Sequence, residues 1–192
     1  MSAGSSDKRS RLVRAAAELS YAHGLGHIAL ADIAEHASVP VGNIYYYFKT
    51  KASIAEAIIA QRCAEFEQMR VQWDLEPTPQ DRLKAFVRMT AENRENLARS
   101  GCPVGSLCAE LGKQDDPLAD QAARPLRHLL SWIEHQFDAL GKGKVKGALA
   151  LHLLAALQGV SLLANGFRDP TLVETEAASL CSWIDSLGNE TV

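Results

Sequence analysis

Residues 39–51 of the chain read VPVGNIYYYFKTK. Pro40 and Gly42 break the helical pattern of the preceding residues, and the pattern resumes directly after them. Proline is well tolerated in a first helical turn, because its missing N–H has no intrahelical partner there. A short amphipathic segment, residues 31–38, precedes this stretch. The sequence therefore predicts a short helix, a tight turn and a second short helix.

The second of these helices is predicted to have two different faces. Val39, Ile44 and Phe48 form an apolar underside that can pack on supporting helices. The three consecutive tyrosines cannot all face inward, because a helix advances about 100° per residue. Aromatic residues on a short helix usually lie in the core, but here at least one must be exposed. This favours a binding surface.

The outer residues have the chemistry that contacts with DNA require. A reading helix must reach phosphates and base edges in a major groove about 12 Å wide. Asn43 offers a donor and an acceptor, and tyrosine hydroxyls can bond phosphate oxygens. Gly42 allows close approach of the backbone, and Lys51 begins the next helix, whose free N–H groups can help to hold a phosphate. The predicted DNA-binding residues are Val41, Gly42, Asn43, Tyr45, Tyr46, Tyr47 and Lys51.

The remaining chain also shows helical periodicity. Thr78 followed by Pro79 predicts a helix start, and Thr171 with Glu174 predicts a capping box. No alternation of apolar and polar residues is long enough for a strand, so the chain is predicted to be all-α. The expected later helices cover residues 51–72, 79–100, 107–111, 117–140, 144–165 and 171–187.

Composition and charge describe a soluble globular protein. The chain has 192 residues, 47% of them hydrophobic, and a formal net charge of -3. Neither disorder nor a membrane protein fits these values. Residues 1–51 carry a net charge of +2, which leaves -5 for the rest. Lys8, Arg9, Arg11 and Arg14 either form a solvated helix face or add phosphate contacts, and the sequence leaves both interpretations open.

Cysteine and histidine usage indicates no metal site, cofactor or catalytic residue. The four cysteines contain no C-x-x-C pair, and the six histidines have no partners at ligand spacing. Arginines interrupt the apolar residues near the N-terminus, so no export signal is expected. Polar residues also interrupt the longest apolar stretch, residues 147–166, which favours a buried helix. We therefore expect a cytoplasmic protein that does not associate with a membrane.

Residues 32–34, Val39 and residues 42–51 together resemble the DNA-binding signature of the tetracycline-repressor (TetR) family. The resemblance covers roughly residues 12–58. It implies an N-terminal three-helix DNA-binding unit with a helix-turn-helix, residues 1–50, and a C-terminal helical effector-binding and dimerisation domain, residues 51–192. It also implies base or phosphate contacts from Gly42, Asn43 and the three tyrosines, and a phosphate contact from Lys51.

Two residues depart from the family pattern. Ala29 stands where the family usually has a capping Ser or Thr, a cap commonly worth about 1 kcal/mol. Val41 stands where the family often has a basic residue. Because a valine side chain can meet a thymine methyl but not a phosphate, we expect an operator preference that differs from that of relatives with lysine there.

The effector site is only weakly indicated by sequence, because plain core packing is the favoured interpretation of each candidate residue. Residues 101–106, GCPVGS, resemble a glycine-cysteine segment in a branch of the family, some members of which respond to electrophiles or oxidants. Cys102 precedes a predicted helix, whose dipole can stabilise a thiolate, or it is a small buried hydrophobe. The candidate effector-binding residues are Phe66, Met69, Trp73, Phe86, Met89, Cys102, Trp132 and Gln136.

Reading two half-sites of DNA requires a two-fold dimer. Small residues on the penultimate helix and an apolar stripe on the last helix predict a homodimer through these two helices. The expected interface residues are Ala148, Leu149, Leu153, Ala155, Ala156, Gly159, Leu163, Leu172, Ala177, Leu180, Ile184 and Leu187.

The predicted function is that of a ligand-responsive transcriptional regulator, a repressor released from a palindromic double-stranded DNA operator by a small effector. A cysteine-based redox or electrophile sensor of transcription is an alternative. A thiol enzyme, or an interaction protein that has lost DNA binding, are alternatives from other classes.

Overall fold

The computed structural model describes residues 3–113 and 117–189, and these residues are helical without a strand. A 3-10 turn, Leu25–His27, follows the first helix. The helices in chain order are α1 Ala3–His23, α2 Leu30–His36, α3 Val41–Tyr47, α4 Lys51–Trp73, α5 Pro79–Glu92, α6 Arg94–Ser100, α7 Pro103–Leu111, α8 Pro117–Ala122, α9 Arg124–Ala139, α10 Lys146–Phe167 and α11 Thr171–Asn189.

The described residues form two compact units. Unit 1 lies within Met1–Glu65 and Pro103–Pro125, and unit 2 lies within Phe66–Cys102 and Leu126–Val192. Helix α4 contributes residues to both units. All seven predicted DNA-binding residues belong to unit 1. The functional division at residue 50 stays a prediction.

The core of unit 1 is built from two separate stretches of sequence. Leu12 of α1, Ile33 of α2 and Ile44 of α3 are almost completely buried. The α4 residues Ile54 and Ile58 join them. Four residues from α7 and α8 are buried in the same cluster, so these helices complete the core: Leu107, Leu111, Leu118 and Ala122.

Unit 2 packs α5, α9, α10 and α11 around a second core. Its most distinctive part is the aromatic cluster, which consists of Phe66, Trp73, Phe86 and Trp132. The Trp73 ring centroid lies 5.0 Å from that of Trp132 and 5.1 Å from that of Phe86. Large rings in tilted contact bury much apolar surface, so this cluster anchors the start of unit 2.

Two predicted helix spans are wrong because each is interrupted. The predicted helix over residues 79–100 breaks at Asn93, which ends α5 and precedes α6. Its side-chain Oδ1 accepts a hydrogen bond from Asn96 Nδ2 at 2.7 Å, a local contact that competes with helix continuation. The predicted helix over residues 117–140 divides into α8 and α9 just before Pro125, because proline has no N–H to continue the helical bonds.

The predicted helix starts after Thr78 and at Thr171 are both confirmed, but the cap of the second differs from the prediction. Thr78 caps α5, since its Oγ1 accepts a hydrogen bond from Asp81 N at 3.1 Å. Thr171 is the first residue of α11 and not the residue that precedes it. Asp169 instead accepts hydrogen bonds from the backbone N and Oγ1 of Thr171, at 2.9 and 2.6 Å. These bonds hold the pKa of Asp169 below its ordinary value.

Helix α10 is long and apolar enough to cross a membrane, judged by length and composition within the described residues. The core helix of a soluble protein passes the same test. Seven α10 residues are buried in the chain's own cores: Ala150, Leu153, Leu154, Leu157, Val160, Ser161 and Ala164.

Candidate nucleic-acid interface

The turn between α2 and α3 is fixed by backbone and side-chain hydrogen bonds. Ser38 adopts a left-handed conformation, with φ of 52°, which redirects the chain after α2. Val39 N donates to Ala34 O at 2.9 Å. The Arg11 guanidinium donates to Ala37 O at 2.9 and 3.1 Å and to Ser38 O at 2.6 Å. Arg11 therefore holds the turn that sets the direction of α3.

Helix α3 presents an exposed face and a buried face, as predicted. Ile44 is completely buried, and Val39 and Phe48 are buried beside it. Val41 and Tyr45, one helical turn apart, are 45% and 54% exposed. Gly42 is exposed, and a Cβ added there would meet nothing within 4 Å. Tyr46 follows Gly42 by one turn and is 79% exposed.

The two remaining α3 candidates, Asn43 and Tyr47, lie at the edge of the exposed face. Both side chains are half-buried. Tyr47 packs against the unit 1 core, and its ring meets Tyr46 edge-on at 5.0 Å between centroids. Tyr47 thus supports Tyr46, and its own contact with DNA stays a prediction.

Lys51 stands at the start of α4, where it meets the turn after α1. Its Nζ donates to the backbone oxygen of Gly26 at 2.9 Å. An ammonium group has three donors, so two remain for a phosphate. The predicted phosphate contact of Lys51 is compatible with this arrangement, and it stays a prediction.

Glu110 of α7 holds the same turn from its other side. Its carboxylate accepts hydrogen bonds from Leu25 N at 2.9 Å and Gly26 N at 2.6 Å. Gly24, with φ of 84°, provides the left-handed conformation that starts this turn. Glu110, Gly26 and Lys51 therefore form one chain of hydrogen bonds from α7 to the start of α4. Sequence reasoning did not identify Glu110.

The N-terminal ends of α2 and α4 differ in their caps. Thr50 caps α4, since its Oγ1 accepts from Ser53 N at 3.1 Å. Ala29, at the start of α2, has no side-chain acceptor. Asp32 compensates in part, because its Oδ2 accepts from Ala29 N at 2.7 Å. The expected loss of one capping bond at Ala29 is therefore confirmed, and the other half of the cap is retained.

The basic residues of α1 divide between packing and exposure. Arg11 holds the turn described above. The Arg9 guanidinium lies over the Phe48 ring at 5.3 Å, a cation–π contact that leaves its charge near α3. Arg14 is exposed and lies 3.9 Å from Glu18. Lys8 is exposed. Phosphate contacts from this face stay a prediction for Lys8, Arg9 and Arg14.

The candidate effector-binding residues lie in unit 2 but not all in one place. Trp132 joins the aromatic cluster with three of the other candidates. Met89 is half-buried against the same core, whereas Met69 is exposed. Gln136 is buried one turn after Trp132 on α9. Cys102 is half-buried and follows Gly101, whose φ is 75°, directly before α7. Their role in binding stays a prediction.

An exposed helix, a hydrogen-bonded turn and a basic flank are the features of a DNA-binding unit of the helix-turn-helix class. Comparison with known proteins agrees with this class. Residues 12–58 match the family model described as bacterial regulatory proteins, tetR family. Over these residues the chain is similar to the tetR family of bacterial regulatory proteins. This similarity points to a transcriptional regulator.

Two curated relatives and one solved structure illustrate the similarity. The transcriptional regulator AcuR of Cereibacter sphaeroides is 33% identical over 108 residues, which cover 55% of this chain and 49% of AcuR. The matched segment thus spans about half of that relative's length. An uncharacterized HTH-type transcriptional regulator in the lacX 3′ region of Lactococcus lactis subsp. lactis is 24% identical over 187 residues, 95% of each chain. The crystal structure of regulatory protein TetR from Rhodobacter sphaeroides is 25% identical, covers 90% of this chain and 96% of its own, and has a TM-score of 0.79.

Proposed function

We propose that the chain is a cytoplasmic repressor that binds a palindromic operator as a homodimer and leaves it when a small effector binds unit 2. The observation that carries this proposal is the exposure of Val41, Gly42, Tyr45 and Tyr46 on a helix whose other face is anchored in the core. Side chains held on a rigid element can read base edges without first losing conformational freedom.

An exposed apolar row on α10 supports dimerisation. It consists of Leu151, Ala155, Gly159, Leu163 and Phe167, which follow one another at intervals of four residues and are all exposed. Phe167 is 70% exposed. Apolar rows of this size are normally covered by a partner, and a second copy with the same row forms a two-fold interface.

The small face of α11 supplies the second half of the proposed interface. Its exposed residues include Thr175, Ala178, Ser179 and Ser182, which allow close approach of another helix. Several residues expected at the interface are instead buried within the chain and cannot contact a partner: Leu153, Ala177, Leu180 and Ile184.

Helix α4 is the proposed route between effector and DNA. It is one continuous helix that begins with Lys51 in unit 1 and ends with Trp73 in the aromatic cluster. A ligand that binds one arrangement of unit 2 more tightly shifts the population toward it. A displacement of α4 then changes the separation of the two reading helices, and repression is lifted.

Selection of bound sequences from a random DNA pool tests the proposed function. We expect a palindromic sequence whose half-sites lie about 34 to 36 Å apart, or at a related spacing, because a two-fold dimer reads both. A Leu163→Glu variant places a charge in the exposed row, so it should become monomeric and lose the palindromic site while unit 1 stays folded. Failure to select any sequence would favour an interaction protein that does not bind DNA.

A cysteine-based sensor is the second candidate function, because Cys102 directly precedes the first residue of α7, Pro103. The free N–H groups of a helix start point toward the residue that precedes it. Cys181 is a reference within the same chain, since burial raises the pKa of its thiol. Quantitative alkylation near neutral pH should modify Cys102 faster than Cys181 and weaken operator binding. A Cys102→Ser variant should lose both effects, and an inert Cys102 excludes this candidate.

A further inference from the structure

Two polar residues are fully buried in the part of the chain that the structure describes, and they differ in whether their side-chain oxygen has a hydrogen-bond partner. Ser161 is 3% exposed, and its Oγ donates to Leu157 O at 2.7 Å. Gln136 is 2% exposed, and its Oε1 accepts no hydrogen bond from any described residue. Buried acceptors nearly always have a partner, because leaving one unpaired costs the hydration it has lost. The amide oxygen of Gln136 is therefore available to a donor from outside the chain.

Gln136 lies one helical turn after Trp132, a member of the aromatic cluster, on α9. His128, Trp132 and Gln136 follow one another at four-residue intervals and so share one face of α9. Exposure falls along this face, from His128 at the surface to Trp132 at 7% and Gln136 at 2%. The unpaired acceptor thus lies at the deep end of a face that begins at solvent.

The aromatic cluster does not supply the missing donor. The only ring N–H of Trp132 donates to Asp74 Oδ1 at 3.0 Å. The other oxygen of Asp74 accepts from the Arg70 guanidinium at 2.8 Å. Asp74 and Trp132 therefore satisfy each other, and the Trp132 N–H is not available to Gln136 Oε1, which has no donor among the described residues.

We infer that Gln136 Oε1 is the polar anchor of the effector site, and that the effector is a neutral, ring-sized apolar molecule carrying a hydroxyl or N–H donor. This inference rests on the proposed effector response of unit 2. A carboxylate has no hydrogen to donate, and no charged side chain is fully buried among the described residues to compensate an ionic ligand. The rings of the cluster provide the faces on which an aromatic body packs.

Three naphthalene probes test the assignment. 2-Naphthol carries the donor, 2-methoxynaphthalene has the same ring without it, and 2-naphthoate replaces it with an anion. Their affinities for the full-length protein are measured by fluorescence anisotropy. We expect 2-naphthol to bind about 10-fold more tightly than 2-methoxynaphthalene, the value of one additional hydrogen bond to a buried acceptor. 2-Naphthoate should bind more weakly than both.

A Gln136→Met variant separates a ligand role from a structural one. It keeps the length of the side chain and removes the unpaired oxygen, so the ligand-free variant should melt at the same temperature as the native protein or higher. Its preference for 2-naphthol over 2-methoxynaphthalene should disappear. A Ser161→Ala control removes a buried polar group that is already paired and should keep the full preference.

Three results would overturn the assignment. The first is a preference for 2-naphthol that survives in Gln136→Met, and the second is a lower melting temperature of that variant without ligand. The third is a native protein that binds none of the probes or binds 2-naphthoate best. Operator affinity with and without saturating 2-naphthol is measured separately. If the probe binds through Gln136 and operator affinity does not change, the site stands and the proposed release from DNA is contradicted.

Discussion

Replacing Glu110 with alanine removes both acceptors that hold the turn after α1. The bond to Leu25 N is partly buried and the bond to Gly26 N is exposed. A hydrogen bond to a charged group is worth about 1.5 to 3 kcal/mol, and water replaces most of the exposed one. We therefore expect Glu110→Ala to lower the free energy of unfolding by about 2 kcal/mol. In a chain of this size, that lowers the melting temperature by about 4 to 8 °C.

The same variant should weaken operator binding several-fold, because Gly26 also accepts the hydrogen bond of Lys51. Thermal unfolding followed by circular dichroism, together with operator titration by fluorescence anisotropy, measures both effects. Glu110→Gln keeps one neutral acceptor and should lie between the native protein and Glu110→Ala. Glu56→Ala removes an exposed carboxylate of the same unit and should change stability by less than about 0.5 kcal/mol. If Glu110→Ala has the same melting temperature as Glu56→Ala, the turn is held by other contacts and this reasoning is refuted.

Four further outcomes are expected. Tyr46→Ala should weaken operator binding at least about 10-fold without lowering the melting temperature, since the ring is 79% exposed; an unchanged affinity in titrations would contradict this. Val41→Lys should steepen the salt dependence of binding by about one phosphate contact and reorder operator preferences; an unaltered ranking would show that Val41 reads no base. Ala29→Ser should add the missing cap of α2 and about 1 kcal/mol, which calorimetry detects as a rise of about 2 to 4 °C. The hydrogen bond from Lys84 holds the pKa of Asp185 below its ordinary value of 3.8. The pair therefore stabilises the fold at neutral pH, and this stabilisation is lost as the pH falls below 3.8. Lys84→Met should have a lower melting temperature at pH 7, and its stability should fall less steeply with pH in acid than that of the native protein.

The sequence predicted the reading helix well because its pattern is local. Ile44 and Phe48, the residue that caps α3, lie one helical turn apart, so helical geometry places both on the buried side. The exposure of Tyr45 and Tyr46 follows from the same geometry. What local geometry could not decide is how far a residue at the edge, such as Tyr47, turns toward the core, because that depends on neighbours from other helices.

Long-range contacts, and the elements against which apolar stripes pack, could not be predicted from the sequence. Glu110 meets Leu25 across 85 positions, and no local pattern marks a glutamate that binds distant backbone N–H groups. The stripe containing Ala177, Leu180 and Ile184 shows that one face of α11 is buried, but periodicity does not say against what. The structure assigns that stripe to the chain's own core, which is why these three residues cannot belong to an interface as expected.

Unit 1 is assembled from two stretches that lie apart in the sequence, and this limits which segments can be exchanged with another protein. A chimaera that joins residues 1–65 to the effector domain of another regulator would leave Leu12 and its neighbours without their own α7 and α8. The donor's Glu110 and its turn at Leu25 would also be separated. Transplanting operator specificity therefore requires exchange of α3 surface residues alone, or of both stretches together.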